Sequence, residues 1–199
     1  DRRRCDSFVR LIPDGRIRVP VQRDVFITGK HPLFPDGRGI YFSGGLPGKS
    51  SRLYSMSLAD GRTTPLSGEG VRAGLRAVSP DGSAILGQDA ERRFWLYPTG
   101  AGRGAPLRIP AFEASEEEHP IGWTADGKAI YVYRRHELPA AVFRVEVATG
   151  RREPWREIAP PDRAGVESIW SLDITPDGRA YAYSFGRTLS DLYLAQGLR

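Results

Sequence analysis

The sequence predicts an all-β protein: a partial, open β-propeller of about four four-stranded antiparallel blades, cut from a six- or seven-bladed parent. Three observations lead there. Four related tetrapeptides, Phe34-Pro35-Asp36-Gly37, Ser79-Pro80-Asp81-Gly82, Thr124-Ala125-Asp126-Gly127 and Thr175-Pro176-Asp177-Gly178, place their aspartates 45, 45 and 51 residues apart. Each follows a short apolar stretch and precedes a β-prone run. No stretch of a dozen residues keeps a helical period.

The turns explain themselves chemically. Proline presets φ, aspartate bonds its own backbone, and glycine takes positive φ without steric cost. Pro35, Asp36, Gly37, Pro80, Asp81, Gly82, Asp126, Gly127, Pro176, Asp177 and Gly178 are therefore read as structural turn residues. After each turn comes a strand such as Gly39-Ile40-Tyr41-Phe42 or Ala129-Ile130-Tyr131-Val132-Tyr133. A further strand follows, for example Val142-Phe143-Arg144-Val145-Glu146-Val147, whose alternation has the period of two. A second turn (Ala59-Asp60-Gly61, Ala148-Thr149-Gly150) leads to a more polar outer strand. Four strands recurring at this interval are the pattern of propeller blades, which stack because one blade cannot bury both of its faces alone.

Phasing the whole chain gives an outer half-blade at 1–22, full blades at 31–70, 74–112 and 119–158, and a three-stranded last blade at 168–199. Pro13-Asp14-Gly15 lies 46 residues before Asp60 and so matches the second turn of a repeat. The third interval is longer by six residues, placed near 158–167, where Pro160-Pro161-Asp162 breaks any strand; a surface loop is expected. The expected arc is open, its last blade lacking an outermost strand. The chain begins at Asp1 without an initiator methionine, so a piece of a longer protein is expected.

Of 29 basic residues 26 are Arg, Asn is absent, and the net charge is +5, the usage of a GC-rich genome. The arginines are spread along the chain and not interleaved with aromatics in one patch, which argues against nucleic acid as a partner. No apolar run reaches membrane-spanning length, so no membrane contact by this segment is expected. Cys5 is the single cysteine, which excludes an intramolecular disulfide.

The four turns and the strands after them resemble the WD40-like Pro-Asp repeats of TolB-type propellers, with Ala125 departing from the proline of the pattern. The segment from Tyr181-Ala182-Tyr183-Ser184-Phe185 to Asp191-Leu192-Tyr193-Leu194-Ala195 and Arg199 is similar to the C-terminal tail of bacterial eukaryote-like serine/threonine kinases that carry such a propeller. The resemblance implies a non-catalytic sensor or interaction module, a protein or peptide partner, and an extracytoplasmic location. Two alternatives stay open: the accessory propeller of a prolyl oligopeptidase-type peptidase, or a TolB-like periplasmic assembly protein.

No residue is assigned a catalytic, cofactor or metal role. Gly44-Gly45-Leu46-Pro47-Gly48-Lys49-Ser50 imitates a phosphate loop, but Ser43 stands where glycine is required and a strand follows, so a flexible loop is expected. Ser184 imitates a hydrolase elbow, with no histidine after it. His31 and His119 each start an innermost strand before a proline, and the repeat accounts for both. Glu116-Glu117-Glu118 is read as a solvated charge run, with a cation-binding rim as its alternative.

Overall fold

The computed structural model describes residues 8–10, 17–20, 26–28, 33–46, 48–100, 104–113 and 118–190. Among these the chain forms strands and no helix. A hairpin of β1 (Phe8–Arg10) and β2 (Ile17–Pro20) comes first. Three four-stranded antiparallel blades follow, each in plain sequence order. The first holds β3 (Phe26–Thr28), β4 (Gly39–Gly45), β5 (Arg52–Ser57) and β6 (Thr63–Pro65). The second holds β7 (Arg72–Val78), β8 (Ala84–Gln88), β9 (Arg93–Pro98) and β10 (Leu107–Glu113). The third holds β11 (Glu118–Trp123), β12 (Ala129–Arg134), β13 (Ala140–Glu146) and β14 (Arg152–Ile158). A last hairpin pairs β15 (Val166–Ile174) with β16 (Tyr181–Arg187). The third strand expected at 191–194 lies outside the described residues. The architecture is an all-β partial propeller.

Burial follows position within the blade. The second strands are covered on both faces: all of β4 is buried, and so is β12 up to Arg134. They accordingly read as continuous apolar runs. The outer strand β14 alternates between half-buried and exposed residues until Ile158, which is buried. One core cluster joins Leu53 of the first blade, Ile85 and Phe94 of the second and Trp123, Ile130 and Val145 of the third. Another joins Tyr131, Val142 and Ile158 to Ile169, Leu172 and Ile174 of the last hairpin.

Polar bonds stitch the same seams. A register shift in β7 takes Ala77 out of the ladder. Its amide donates to the Tyr41 hydroxyl at 3.1 Å, and its carbonyl accepts Trp123 Nε1 at 3.2 Å. The Ala73 amide donates to Ser43 Oγ at 3.1 Å. Between the third blade and the last hairpin, the Tyr133 hydroxyl and Arg135 Nη2 both donate to the carbonyl of Trp170.

Two sequence expectations are corrected. Gly44 and Gly45 are not a flexible loop; they are buried in β4 and pair with Ile27 and Phe26. A Cβ on Gly45 would lie 3.1 Å from the Lys49 carbonyl, so glycine there allows close backbone approach. The innermost strand of the first blade begins at Phe26 and not at 31, and Leu33 keeps only a single bridge to Ile40. The inserted segment behaves as expected: Pro161 through Gly165 are exposed. Asp162 holds it in place, accepting from the Ala164 amide and from Arg187 Nη1, both at 2.9 Å.

Candidate binding cleft

Each tetrapeptide makes one tight turn. The amides of Gly37, Gly82, Gly127 and Gly178 donate to the carbonyls of Phe34, Ser79, Thr124 and Thr175 at 2.8–2.9 Å, with φ between +67° and +73°. The aspartates 36, 81, 126 and 177 each accept the amide two residues on. In the last three turns the hydroxyl of Ser79, Thr124 or Thr175 also donates to the carboxylate at 2.5–2.6 Å and accepts the amide five residues later at 3.0 Å. These hydroxyl bonds, foremost, hold Asp81, Asp126 and Asp177 below the usual carboxylate range.

Three turns meet at one end of the inner strands. Pro35, Pro80 and Pro176 line an apolar cup of about 240 Å³ with Tyr41, Trp123 and Ile174. Successive turns also touch: a Cβ on Gly82 would lie 3.6 Å from Pro35, and one on Gly127 3.7 Å from Pro80. Where Ala125 replaces proline, its amide donates across the seam to the Pro176 carbonyl.

The larger cavity lies at the opposite end, where β7 and β11 begin. It is an open cleft of about 800 Å³ between the three blades. Leu86, Phe94, Ala73 and Ala77 give it apolar wall, and Ser50, Ser51, Gln88, Arg72, Arg92, Asp89, Glu118 and His119 give it polar groups. An apolar lining with a few convergent polar groups, in this size range, is the form of a ligand site.

Both carboxylates of the cleft are engaged from behind. Asp89 opens the turn between β8 and β9 and accepts Arg93 N at 2.9 Å, Arg93 Nε at 2.8 Å and Trp95 Nε1 at 2.8 Å. Glu118 is buried, its side chain 4% exposed. It accepts Arg152 Nη1 at 2.7 Å, Arg152 Nη2 at 2.5 Å and Arg134 Nε at 3.2 Å. The two guanidinium groups also lie over the Phe143 ring, at 5.2 and 5.9 Å. For both acids burial pushes the pKa up and is outweighed: by Trp95 and Arg93 at Asp89, by Arg152 and Arg134 at Glu118. Both carboxyls titrate below their usual range. Glu118 is therefore not part of a solvated run; two arginines neutralise it inside the seam.

The cations differ. Arg72 is exposed at the cleft mouth and makes no ion pair among the described residues. Arg92 closes the tight turn with φ +65°, its amide donating to the Asp89 carbonyl and its carbonyl accepting Gln88 Nε2. That conformation disfavours a side chain such as arginine. His119 lines the cleft with its ring 5.9 Å from Tyr133, and exposed His136 has φ +66°. His31 lies outside the described residues. Ser184 sits inside β16 and shares a 2.8 Å hydrogen bond with Ser171, with no strand-to-helix elbow. Sequence reasoning singled out Glu118 and His119 but missed Arg72, Asp89 and Arg92. Only Asp89, a turn former between two β-prone runs, carried a local signal.

No family model and no curated protein sequence matches the chain. Solved structures do. TolB from Acinetobacter baumannii is 17% identical with a TM-score of 0.58, over 92% of this chain and 49% of that one. An oligogalacturonate lyase in complex with manganese is 16% identical with a TM-score of 0.52, over 90% of this chain and 59% of that one. A prolyl endopeptidase is 17% identical with a TM-score of 0.51, over 82% of this chain and 26% of that one. The chain thus spans about half the length of the TolB structure it matches. At such identities the likeness speaks of fold alone, and it makes this chain a partial propeller similar to the TolB type.

Proposed function

We propose that the chain is a non-catalytic β-propeller module whose cleft binds a protein or peptide partner, as the C-terminal sensor or interaction part of an extracytoplasmically exposed bacterial serine/threonine kinase. The observation that carries the binding reading is the state of the cleft's acids. Asp89 and Glu118 each accept three hydrogen bonds from the scaffold and stay ionised well below neutral pH. A general acid or base works best with a pKa near the working pH and within reach of substrate, and neither acid meets that condition. What the cleft offers is shape, apolar wall and cations. The kinase context rests on the resemblance of segment 181–199.

Panning a displayed peptide library on the immobilised chain tests the binding reading, with Ala90→Trp as the control. Ala90 is exposed on the cleft wall, so the indole fills the cleft from outside the core. Selected peptides should bind the wild type and lose affinity for Ala90→Trp; equal binding to both would place the interaction elsewhere. The likeness to a prolyl endopeptidase favours a second reading, an accessory propeller gating a hydrolase. The neighbouring coding sequence separates them: a kinase domain supports the first, a nucleophile elbow the second.

A further inference from the structure

We infer that the face of the last hairpin turned away from the third blade pairs this chain with a second copy of itself, about a two-fold axis. Blades in this protein meet by a rule. The fourth and sixth residues after the turn glycine point at the blade that follows. In the first blade these are Tyr41 and Ser43, which accept the amides of Ala77 and Ala73. In the third they are Tyr131, packed on the last hairpin, and Tyr133, bonded to it. The same two places on β16 are Ala182 and Ser184, and both are exposed. Cross-strand pairing sets Ser184 beside Ser171 and Ala182 beside Asp173 on this face, with Leu172 and Tyr183 on the other.

Trp170 supplies the knob. It is the bulged residue of β15, between the pairs Ile169–Phe185 and Ser171–Ser184. Its indole lies on Gly186 of the same face, where a Cβ would come within 2.5 Å of the ring, yet the residue is 58% exposed. Tyr133 and Arg135 hold its carbonyl from behind. A bulge that re-aims the side chain and a glycine that seats it fix a large apolar group in solvent. A knob and a small-residue seat on one face are what an isologous contact requires, because each copy then supplies both. With the axis through the Ser171–Ser184 pair, Trp170 of one copy comes over Ala182 of the other, and its indole N–H meets the Asp173 carboxylate there. A head-to-tail contact is closed off. The first blade's face turned away from the second carries Ile40 beside Met56 and Phe42 beside Tyr54, and all four are buried. One hairpin face is smaller than the roughly 800 Å² per partner of a standard complex, so the dimer is weak, with a dissociation constant on the order of 10 µM.

Sedimentation equilibrium of the chain over a wide concentration range is the test, with Trp170→Ser, Ala182→Arg and, as a control in the cleft, Ala90→Trp. Trp170 and Ala182 are exposed, so both face variants should keep the wild-type melting temperature. The wild type should pass from monomer to dimer as concentration rises. Each face variant should weaken the dimer about tenfold or more, and Ala90→Trp should leave it unchanged. A wild type still monomeric at a hundred times the expected dissociation constant overturns the inference. So does a dimer that neither face variant weakens, or one that only Ala90→Trp disrupts. Growth through trimers into longer assemblies is the mark of a heterologous contact and overturns it as well.

Discussion

The amide of Ala125 donates to the carbonyl of Pro176 at 2.9 Å, joining the turns of two successive blades through their backbones. The other three turns carry proline at the equivalent position and have no amide to give. The departure from the repeat is thus itself a seam contact. Ala125→Pro would restore the motif and break the bond, because the proline ring would occupy the line toward the Pro176 oxygen. Proline at a compatible turn position gains roughly 0.4–1 kcal/mol, and where the amide is bonded the loss exceeds that. We expect Ala125→Pro to lower the unfolding free energy read from urea denaturation by about 1 kcal/mol or more, with Ala125→Gly, which keeps the amide, closer to wild type.

Tyr41 gives a pH signature in the alkaline range. Burial, partly offset by the amides of Ala77 and Val78, pushes its hydroxyl up to about 12. The fold favours the protonated phenol, so this stabilisation is complete below the unfolded value of about 10 and is lost as pH rises toward 12. Between those limits the wild type should lose stability on the order of 2 kcal/mol relative to Tyr41→Phe. At neutral pH Tyr41→Phe should cost about 1–3 kcal/mol, because the buried Ala77 amide loses its acceptor. Chemical denaturation of both proteins from pH 7 to 12 reads both effects.

Glu118 acts at the acid end. Its carboxyl pKa is depressed in the fold, so its stabilisation is present above the unfolded carboxylate value and disappears as pH falls through the folded one. Glu118→Gln should destabilise by about 1–3 kcal/mol at pH 7, since it leaves the partly exposed Arg152 and Arg134 facing a neutral amide within the third blade. The gap between wild type and variant should close on acidification. A gap that stays constant down to pH 2 would show that the ion pair contributes nothing.

Gly87 tests the packing between blades. It is buried in β8, and a Cβ there would meet Tyr97 at 2.7 Å, Val71 at 2.9 Å and Leu53 of the neighbouring blade at 3.0 Å. Gly87→Ala should cost about 1–3 kcal/mol by overpacking. Pairing it with Leu53→Val should recover part of that loss, read from thermal midpoints of the four proteins of the cycle.

What could be read from the sequence was what is local. A turn such as Thr175-Pro176-Asp177-Gly178 is specified by four adjacent residues, and its aspartate finds its partners within two positions. Strand pairing followed, because each turn fixes the register of its hairpin. Gly44 and Gly45 were misread because glycine pairs signal loops, whereas both lie in β4, and at Gly45 a Cβ would press on the Lys49 and Ser50 backbone of the loop that follows. The cleft was illegible for a different reason. Ser51, Arg72, Asp89 and Glu118 come from three blades, and no spacing along the chain records that they share one cavity. Glu118 looked solvated because Arg134 and Arg152, which bury its charge, stand 16 and 34 residues away.

Ala77 has a mechanical consequence. Modules that touch only their neighbours can be peeled away one at a time under load. Here the amide of one residue is fastened to the blade before it and its carbonyl to the blade after it. A pull applied at either neighbour is delivered to the same residue of β7, through the two peptide units that flank its Cα. In an optical trap the first three blades should therefore rip in a single step, and Trp123→Phe, which cuts one of the two fastenings, should split that step in two.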